Sequence, residues 1–206
     1  MSSQDTYRNF AELSKSERET RDYRRVIERR NSKITIIAPH GGGIEPGTSE
    51  IAKALAGGEF SLYCLEGLKV RGNYEALHIT GTNFDDPACV QLVNGSNIVL
   101  AIHGCDSANK AVYVGGLNGN LKAQFIEVLR DAGFHAEEDV SSHSGSSSQN
   151  ICNRGVSDGG VQLEISEGLR RTMFSGLNRR ERQITTPIFD EFVAVIRAML
   201  FRSEVA

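Results

Sequence analysis

The sequence predicts a single-domain α/β protein whose central mixed, largely parallel sheet carries helices on both faces. Short β-branched apolar runs alternate along the chain with segments of helical periodicity, a pattern typical of sheets covered by helices. The chain has 206 residues, of which 39% are hydrophobic and 24% charged. It can therefore bury a substantial core and lacks the composition of a disordered chain.

Six apolar runs are the predicted strands. Each is rich in β-branched or bulky apolar residues, and Gly, Asn or charged residues bound it. The runs are Ile34–Ala38, Phe60–Leu65, Ala76–Thr80, Asn97–His103, Ala111–Val114 and Val161–Ile165.

Helical patterns occupy much of the chain between these runs. Thr186 is placed to cap the last helix, with Pro187 at its first position and an apolar stripe behind it. The segment Ser141–Gln149 is rich in Ser and Gly and is predicted to be a loop. The predicted helices are Thr48–Ala56, Pro87–Val93, Asn118–Ala132 and the final helix from Pro187.

The first 31 residues are predicted to be a charged N-terminal arm, and residues 32–206 the functional domain. Acidic and basic residues are interleaved between Lys15 and Arg30, a pattern typical of a solvated helical or irregular segment. The whole chain has 23 Lys+Arg against 26 Asp+Glu, a net charge of −3. We therefore expect no nucleic-acid partner.

Several other classes of protein are excluded by the sequence. Charged residues interrupt the longest apolar stretch, Ile188–Phe201, so we expect no membrane partner. The polar N-terminus has no apolar signal core, so we expect a cytoplasmic protein, and we expect a monomer. The cysteines form no C-x-x-C pair, so most are expected to be free thiols. They are Cys64, Cys89, Cys105 and Cys152.

Two histidines lie where apolar strands end, and each is followed by a glycine that permits a sharp turn. These are His40 and His103. In open α/β sheets, ligands bind beyond the carboxyl ends of the strands. Glu45 follows His40 across three glycines, so its carboxylate is able to return to the same ion. The three side chains with an open fourth position match a catalytic zinc site, although two independent polar strand ends remain an alternative.

A carboxylate and an arginine near the predicted strand Val161–Ile165 are further candidates. Glu164 lies on the face opposite Val161, Leu163 and Ile165, where burial would require a cation or a reaction as its partner. On a half-exposed strand it would simply be solvated. Arg154 precedes this strand and has the planar fork that binds a carboxylate at two points, although a surface salt bridge is the alternative.

The segment Arg170–Arg182 is mainly basic, with Glu181 among its arginines. Such a run is able to attract a polyanion towards a site, and it is also typical of a solvated helix face.

Eight short motifs occur along nearly the whole chain: Asp5-Thr6-Tyr7, Pro39–Thr48, Leu77–Thr80, Asn83-Phe84-Asp85, Ile102-His103-Gly104, Val114–Asn118, Asn153-Arg154 and Val161–Glu164. Together they resemble the phage-derived poly-γ-glutamate hydrolase family, and their shared order is more specific than any one of them. The resemblance implies a zinc carboxypeptidase-like fold for the hydrolase domain over residues 32–206. It also implies one zinc ion per chain and hydrolysis of γ-glutamyl amide bonds in poly-γ-glutamate or γ-glutamyl peptides.

By motif, the resemblance implies that His40, Glu45 and His103 are zinc ligands and that Glu164 is the general base. Arg154, with Asn153 beside it, is similar to the carboxypeptidase pair that holds a substrate carboxylate.

Two further residues remain open at this point. Four residues separate His40 from Glu45 where carboxypeptidases have two, so Glu50 is a second candidate ligand. His78 is predicted to line the substrate pocket or to orient a ligand, with a satisfied core histidine as the alternative.

Three functions remain compatible with the sequence. Besides the poly-γ-glutamate hydrolase, these are a zinc amidohydrolase of another small acyl-amino acid or peptide, and a non-catalytic relative that only binds a ligand. For a phage enzyme, the resemblance also implies release to the exterior on host lysis.

Overall fold

The computed structural model describes residues 5–141, 144–157 and 159–205. In these residues seven strands form one mixed sheet in the spatial order β1-β3-β2-β4-β7-β5-β6. The strands are β1 (Tyr23–Glu28), β2 (Ile34–Gly42), β3 (Ser61–Gly67), β4 (Ile98–Cys105), β5 (Ala111–Gly115), β6 (His135–Glu138) and β7 (Val161–Ser166).

Helices and short 3₁₀ turns connect the strands. The predicted helix Thr48–Ala56 has the observed bounds, and the final helix begins at Pro187 as predicted. The hydroxyl of Thr186, however, donates to the Thr172 carbonyl. The helices are α1 (Phe10–Ser16), α2 (Thr48–Ala56), α3 (Asn73–Leu77), α4 (Pro87–Asn94), α5 (Gly119–Asp131), α6 (Glu167–Met173) and α7 (Pro187–Val205). The 3₁₀ turns are Ile151–Asn153 and Glu181–Gln183.

The sheet is largely parallel, which confirms the predicted class. The neighbours β3, β2, β4 and β7 run parallel to one another, and β6 is parallel to β5. The strands β1 and β5 run antiparallel to β3 and β7, respectively.

Helices cover both faces of the sheet, and strand residues alternate between two apolar clusters. One cluster contains Ile36, Ala38 and Ile102 and packs under α2, α5, α6 and α7. The other contains Ile37 and Ala101 and packs under α1 and α4. The candidate functional residues described below belong to this second face.

The segment 1–31 contains α1 and the edge strand β1, which corrects the expectation of a solvated arm. Phe10 and Leu13 of α1 are buried, and so is Tyr23 of β1. The interleaved charges of β1 belong to an edge strand with cross-strand partners, since Arg24 pairs with Glu66 of β3. Residues 1–4 lie outside the described part, and the domain boundary at residue 31 stays a prediction.

The strand predicted over Ala76–Thr80 is wrong, because this segment contains the end of helix α3. The Asn73 side chain bonds the Lys69 amide and carbonyl, and these contacts close a turn before the helix. The strand β6 was not predicted, since its sequence HAEE is mostly charged and lies at the other edge of the sheet.

Two remaining expectations concern the cysteines and membrane spans. All four cysteines are free thiols. In the described part of the chain, none of the helices has both the length and the apolarity to cross a bilayer. The predicted loop Ser141–Gln149 includes residues 142 and 143, which lie outside the described residues.

Candidate metal centre

An extra residue in β2 turns His40 to the face of the sheet on which the other candidate residues lie. Ala38 pairs with Cys64 and Gly41 pairs with Glu66, so three steps along β2 match two steps along β3. Such a β-bulge shifts the alternation of side chains by one residue. His40 therefore leaves the face that Ala38 occupies.

His103 and Glu164 are neighbours on that second face. They are register partners on the adjacent parallel strands β4 and β7. Ala101, two residues before His103, is in turn the register partner of Ile37 in β2. Register partners place their side chains on the same face. The carboxyl ends of β2, β4 and β7 thus bring the two histidines and the carboxylate together.

The glycine loop after β2 returns the Glu45 carboxylate to His40. Gly42 has a φ of +65°, and a Cβ there would lie 2.7 Å from the Gly67 carbonyl oxygen, so this turn requires glycine. The Glu45 amide donates to the His40 carbonyl at 2.8 Å. The Gly104 amide donates to Glu45 Oε2, also at 2.8 Å, which fixes the carboxylate against the end of β4.

Potential ligand atoms of His40, Glu45 and His103 converge, with both oxygens of the Glu45 carboxylate taking part. His40 Nδ1 lies 2.8 Å from Glu45 Oε1 and 3.1 Å from His103 Nδ1. His103 Nδ1 lies 3.7 Å from Glu45 Oε2. Zinc binds imidazole nitrogen and carboxylate oxygen at about 2.0–2.2 Å, so ligands of one tetrahedral ion stand roughly 3.4 Å apart. The predicted set therefore has separations that fit one zinc ion.

A buried polar atom without a partner also lies at this site. Nε2 of His103 has no hydrogen-bond partner among the described residues, although it is buried. A buried polar atom without a partner costs about 1–3 kcal/mol unless a ligand, ion or water completes it. The donor types, imidazole nitrogen and carboxylate oxygen, fit a divalent cation, whereas the unpaired Nε2 is not the His103 atom that converges with His40 and Glu45.

His78 lies against the same cluster and offers a second set of three ligands. Its ring centroid is 4.1 Å from that of His40, and one ligand atom each of His40, Glu45 and His78 lie within 4.8 Å of one another. Asp5 Oδ1 lies 2.7 Å from His78 Nδ1, which leaves Nε2 as the atom available to a metal. The set with His103 has the shorter separations.

Burial and charge shift the pKa values within the cluster in opposite directions. Burial alone would lower the pKa of His40, but the Glu45 carboxylate raises it. Burial would raise the pKa of Glu45, whereas the His40 charge dominates and lowers it to about 2. Burial lowers the pKa of His103 to about 3 and that of His78 to about 4. At neutral pH His103 and His78 are therefore neutral imidazoles, the form that binds a metal.

Glu164 has a carboxyl group that resists ionisation. Burial raises its pKa well above the ordinary value, and the Glu45 carboxylate adds to that shift. Gln162 Nε2 donates to Glu164 Oε1 at 3.1 Å, and Asn150 Nδ2 donates to Gln162 Oε1 at 3.3 Å. In the described part of the chain Glu164 Oε2 accepts no hydrogen bond. One oxygen is therefore oriented by the protein, and the other remains available to a water or a substrate.

Asn153 has its polar atoms bonded within the chain. Its Oδ1 accepts from the amides of Leu117 (3.1 Å) and Gly160 (3.0 Å). Its Nδ2 donates to the carbonyls of Gly145 (2.6 Å) and Ser147 (2.8 Å). The hydrogen bonds give this side chain the role of joining three segments of backbone.

The guanidinium of Arg154 also bonds backbone. It donates from Nε to the Gln149 carbonyl at 2.9 Å, from Nη2 to the Thr82 carbonyl at 2.9 Å and from Nη1 to the Phe84 carbonyl at 3.2 Å. The predicted roles of Arg154 and Asn153 in binding a substrate carboxylate are untested. Their contacts favour a role in holding the loop 145–154 in place.

Glu50 and two arginines of the basic segment occupy other positions than the sequence suggested, whereas Arg171, Arg179 and Arg180 are exposed. Glu50 Oε1 accepts from Arg182 Nε at 3.0 Å, which makes it an ion-pair partner of a buried arginine. Arg170 is also buried, and its guanidinium donates to the carbonyls of Pro46 (2.6 Å) and Cys105 (3.1 Å). Neither arginine lies on a solvated helix face, because each one ties segments of the chain together.

Two residues that orient the site are absent from the sequence-based assignment. Asp5 accepts from the Thr80 amide at 2.7 Å in addition to its contact with His78. Gln162 orients Glu164. The sequence pattern that pointed to Gln162 was its position on the same face of one strand as Glu164. Asp5 is 73 residues from His78, so only the short motif that contains it pointed to a role at the site.

Comparison with known proteins decides the family. The chain matches the family described as poly-gamma-glutamate hydrolase over residues 7–195. It is 39% identical over 195 residues to the SPbeta prophage-derived UPF0714 protein YoqZ of Bacillus subtilis (strain 168), covering 93% of this chain and 70% of YoqZ. The chain belongs to the poly-γ-glutamate hydrolase family. The resemblance predicted from the sequence is confirmed.

Solved structures agree with membership of the poly-γ-glutamate hydrolase family. A bacteriophage poly-γ-glutamate hydrolase matches with a TM-score of 0.92 and 33% identity, covering 97% of this chain and 98% of that one. A zinc-free structure of YndL matches with a TM-score of 0.91 and 36% identity, covering 97% and 99%. A metallo-carboxypeptidase from Burkholderia cenocepacia matches with a TM-score of 0.51 and 14% identity, covering 89% and 61%, a likeness of fold alone.

Proposed function

We propose that this protein is a zinc-dependent amidohydrolase that cleaves γ-glutamyl amide bonds of poly-γ-glutamate. The observation that carries the proposal is the convergence of His40 Nδ1, the Glu45 carboxylate and His103 Nδ1 beside the strand neighbour Glu164. Membership of the poly-γ-glutamate hydrolase family supports the substrate, and the description of a YndL structure as zinc-free supports the metal.

The proposed zinc ligands are His40, Glu45 and His103, with one position left open. Zinc bound there would supply a water of lowered pKa and polarise the carbonyl of the scissile amide. His103 is neutral and able to act as a ligand, and His40 must exchange the hydrogen bond between its Nδ1 and Glu45 for the metal. The Gly104 amide holds the Glu45 carboxylate in place while this exchange occurs.

Glu164 is the proposed general base. Its carboxylate takes a proton from the attacking water and delivers it to the leaving nitrogen. Burial raises the pKa of Glu164 in the metal-free site, and a bound zinc ion would lower it and so favour the carboxylate that accepts the proton. Gln162 keeps one carboxylate oxygen fixed, so the other has a defined direction.

The test combines substrate, metal and base in one set of assays. Purified protein is incubated with poly-γ-glutamate and with an α-linked peptide, each with and without a chelator, and zinc per chain is measured by elemental analysis. We expect about one zinc per chain, cleavage of the γ-linked polymer only, and recovery of activity when zinc is returned after chelation. Activity that survives complete zinc removal would contradict the proposal, and zinc binding without turnover of any substrate would indicate a binding protein.

A further inference from the structure

A pocket with several charged side chains lies beside the candidate metal centre. It has a volume of about 540 Å³ and lies between the segment 69–75, which includes the start of α3, and the segment 178–182. Lys69, Arg71, Arg179 and Arg182 line it, and Glu75 is the acidic residue at its wall. The charged groups of the pocket are therefore mainly cations.

Two of its lining residues connect the pocket with the metal centre. Gly43 lies two residues before Glu45 in the same loop. The ring centroid of Tyr74 is 4.6 Å from that of His78, which in turn is 4.1 Å from that of His40. A substrate bound at the metal centre would thus reach the pocket with its adjoining residue.

The four cations differ in their partners. Lys69 pairs with Glu17 at 2.6 Å and Arg182 pairs with Glu50 at 3.0 Å, so an internal carboxylate neutralises each of them. Arg179 donates to the neutral Leu68 carbonyl, and Arg71 is exposed. Neither Arg71 nor Arg179 has an acidic partner within the described ranges.

We infer that this pocket binds a free α-carboxylate of the substrate chain next to the bond that is cut, through Arg71 and Arg179. The inference rests on the proposed function, because a γ-linked glutamate polymer keeps one free α-carboxylate on every residue. Guanidinium groups bind carboxylates through paired, charge-assisted hydrogen bonds. The guanidinium of Arg154, the sequence-based candidate for this role, donates to three backbone carbonyls instead.

The test uses Arg71→Gln, Arg179→Gln and the double variant, with Arg202→Gln as the matched control. Arg202 is an exposed arginine near the end of α7, so its loss changes the net charge equally but leaves the pocket intact. We expect KM for poly-γ-glutamate to rise about tenfold in each single variant with kcat unchanged, since one charge-assisted hydrogen bond contributes about 1.5 kcal/mol or more. The control should keep the KM of the unmodified protein.

A second measurement separates this inference from the proposed function. Binding of a γ-linked glutamate oligomer, and of the same oligomer with its α-carboxyls amidated, is measured by calorimetry on the zinc-loaded Glu164→Gln protein. We expect the amidated oligomer to bind about tenfold or more weakly, with no further loss in the double variant.

The outcomes are distinguishable. Equal KM values in the double variant and the control, or equal binding of the two oligomers, would overturn the inference while hydrolysis still supports the proposed function. Carboxylate-dependent binding through both arginines, without hydrolysis by the unmodified protein, would support the pocket and overturn the proposed catalysis.

Discussion

Two polar regions beside strand β7 differ in how completely their atoms are paired. At the ends of β4 and β7, Glu164 Oε2 has no hydrogen-bond partner among the described residues, and His103 Nδ1 has a hydrogen-bond contact there only with another imidazole nitrogen, His40 Nδ1. In the neighbouring loop 145–154, the side chains of Asn153 and Arg154 are bonded to backbone from several segments. Incomplete pairing indicates groups kept for a ligand, and complete pairing indicates groups that hold the scaffold.

The largest effect should come from Glu164→Gln. The amide of the variant has nearly the shape of the carboxylate, and its oxygen is still able to accept the hydrogen bond from Gln162. It cannot accept the proton of the water, so we expect kcat to fall by about 10²–10⁴-fold. Zinc content should stay at the level of the unmodified protein. The matched control is Glu167→Gln, which removes a carboxylate from the adjoining helix α6. Comparable kcat values for the two variants would show that Glu164 is not the base.

Comparing His103→Ala with His78→Ala tests which of the two histidines is the third metal ligand. We expect zinc affinity to fall more than about 100-fold in His103→Ala, because a direct ligand is removed. In His78→Ala we expect a loss within about 10–100-fold, the range for residues that orient ligands. Competition with a chromogenic chelator measures both. The reverse order would assign the ion to His40, Glu45 and His78.

Arg154→Met tests the scaffold side of the comparison. We expect the free energy of unfolding to fall by about 1–3 kcal/mol, because the carbonyls of Thr82, Phe84 and Gln149 lose their charged donor. KM for poly-γ-glutamate should stay unchanged at a temperature where the variant is folded. Urea unfolding measures the free energy of unfolding, and steady-state kinetics on the same preparation measure KM. A large rise in KM with unchanged stability would instead confirm the carboxylate clamp predicted from the sequence.

The smallest effect concerns the stability of the zinc-free protein as a function of pH. The fold raises the pKa of Glu164 above its pKa in the unfolded chain. The free energy of unfolding therefore falls as pH rises from the unfolded pKa through the folded pKa, because the unfolded chain ionises this group more readily. Glu164→Gln has no such ionisation. We expect the chelated variant to be more stable than the chelated parent at neutral pH, by a margin that shrinks towards pH 4. Denaturant unfolding across this range measures the margin, and a margin independent of pH would contradict the assigned cause.

Local sequence patterns were sufficient for much of the fold and for part of the site. The helix α2 and the apolar runs of β2, β4 and β7 are determined by residues close together in the chain. His40, His103 and Glu164 were predicted because they follow or alternate with those runs. The ends of adjacent parallel strands then brought them together.

Contacts between distant segments were beyond the reach of local patterns. The partners of Arg154 at Thr82 and Phe84 lie about 70 residues away, and a backbone carbonyl has no sequence signature. Charges in β1 were interpreted as solvated, because only the position of β3 identifies them as an edge strand with a partner. In both cases the sequence contained the residue but not the tertiary contact that determines its role.

The bulge between Ala38 and Gly41 makes the chemistry of this end of the sheet depend on how β2 pairs with β3 as well as on the residue types in β2. Deleting Pro39 would remove the extra residue without moving His40 to the other face, because the residue directly after Ala38 already points away from the aliphatic layer beneath α2. A strand that kept its full length but paired regularly would instead turn the imidazole of His40 into that layer. The bulge therefore lets β2 contain one more residue than its partner strand while His40 stays with the other proposed ligands.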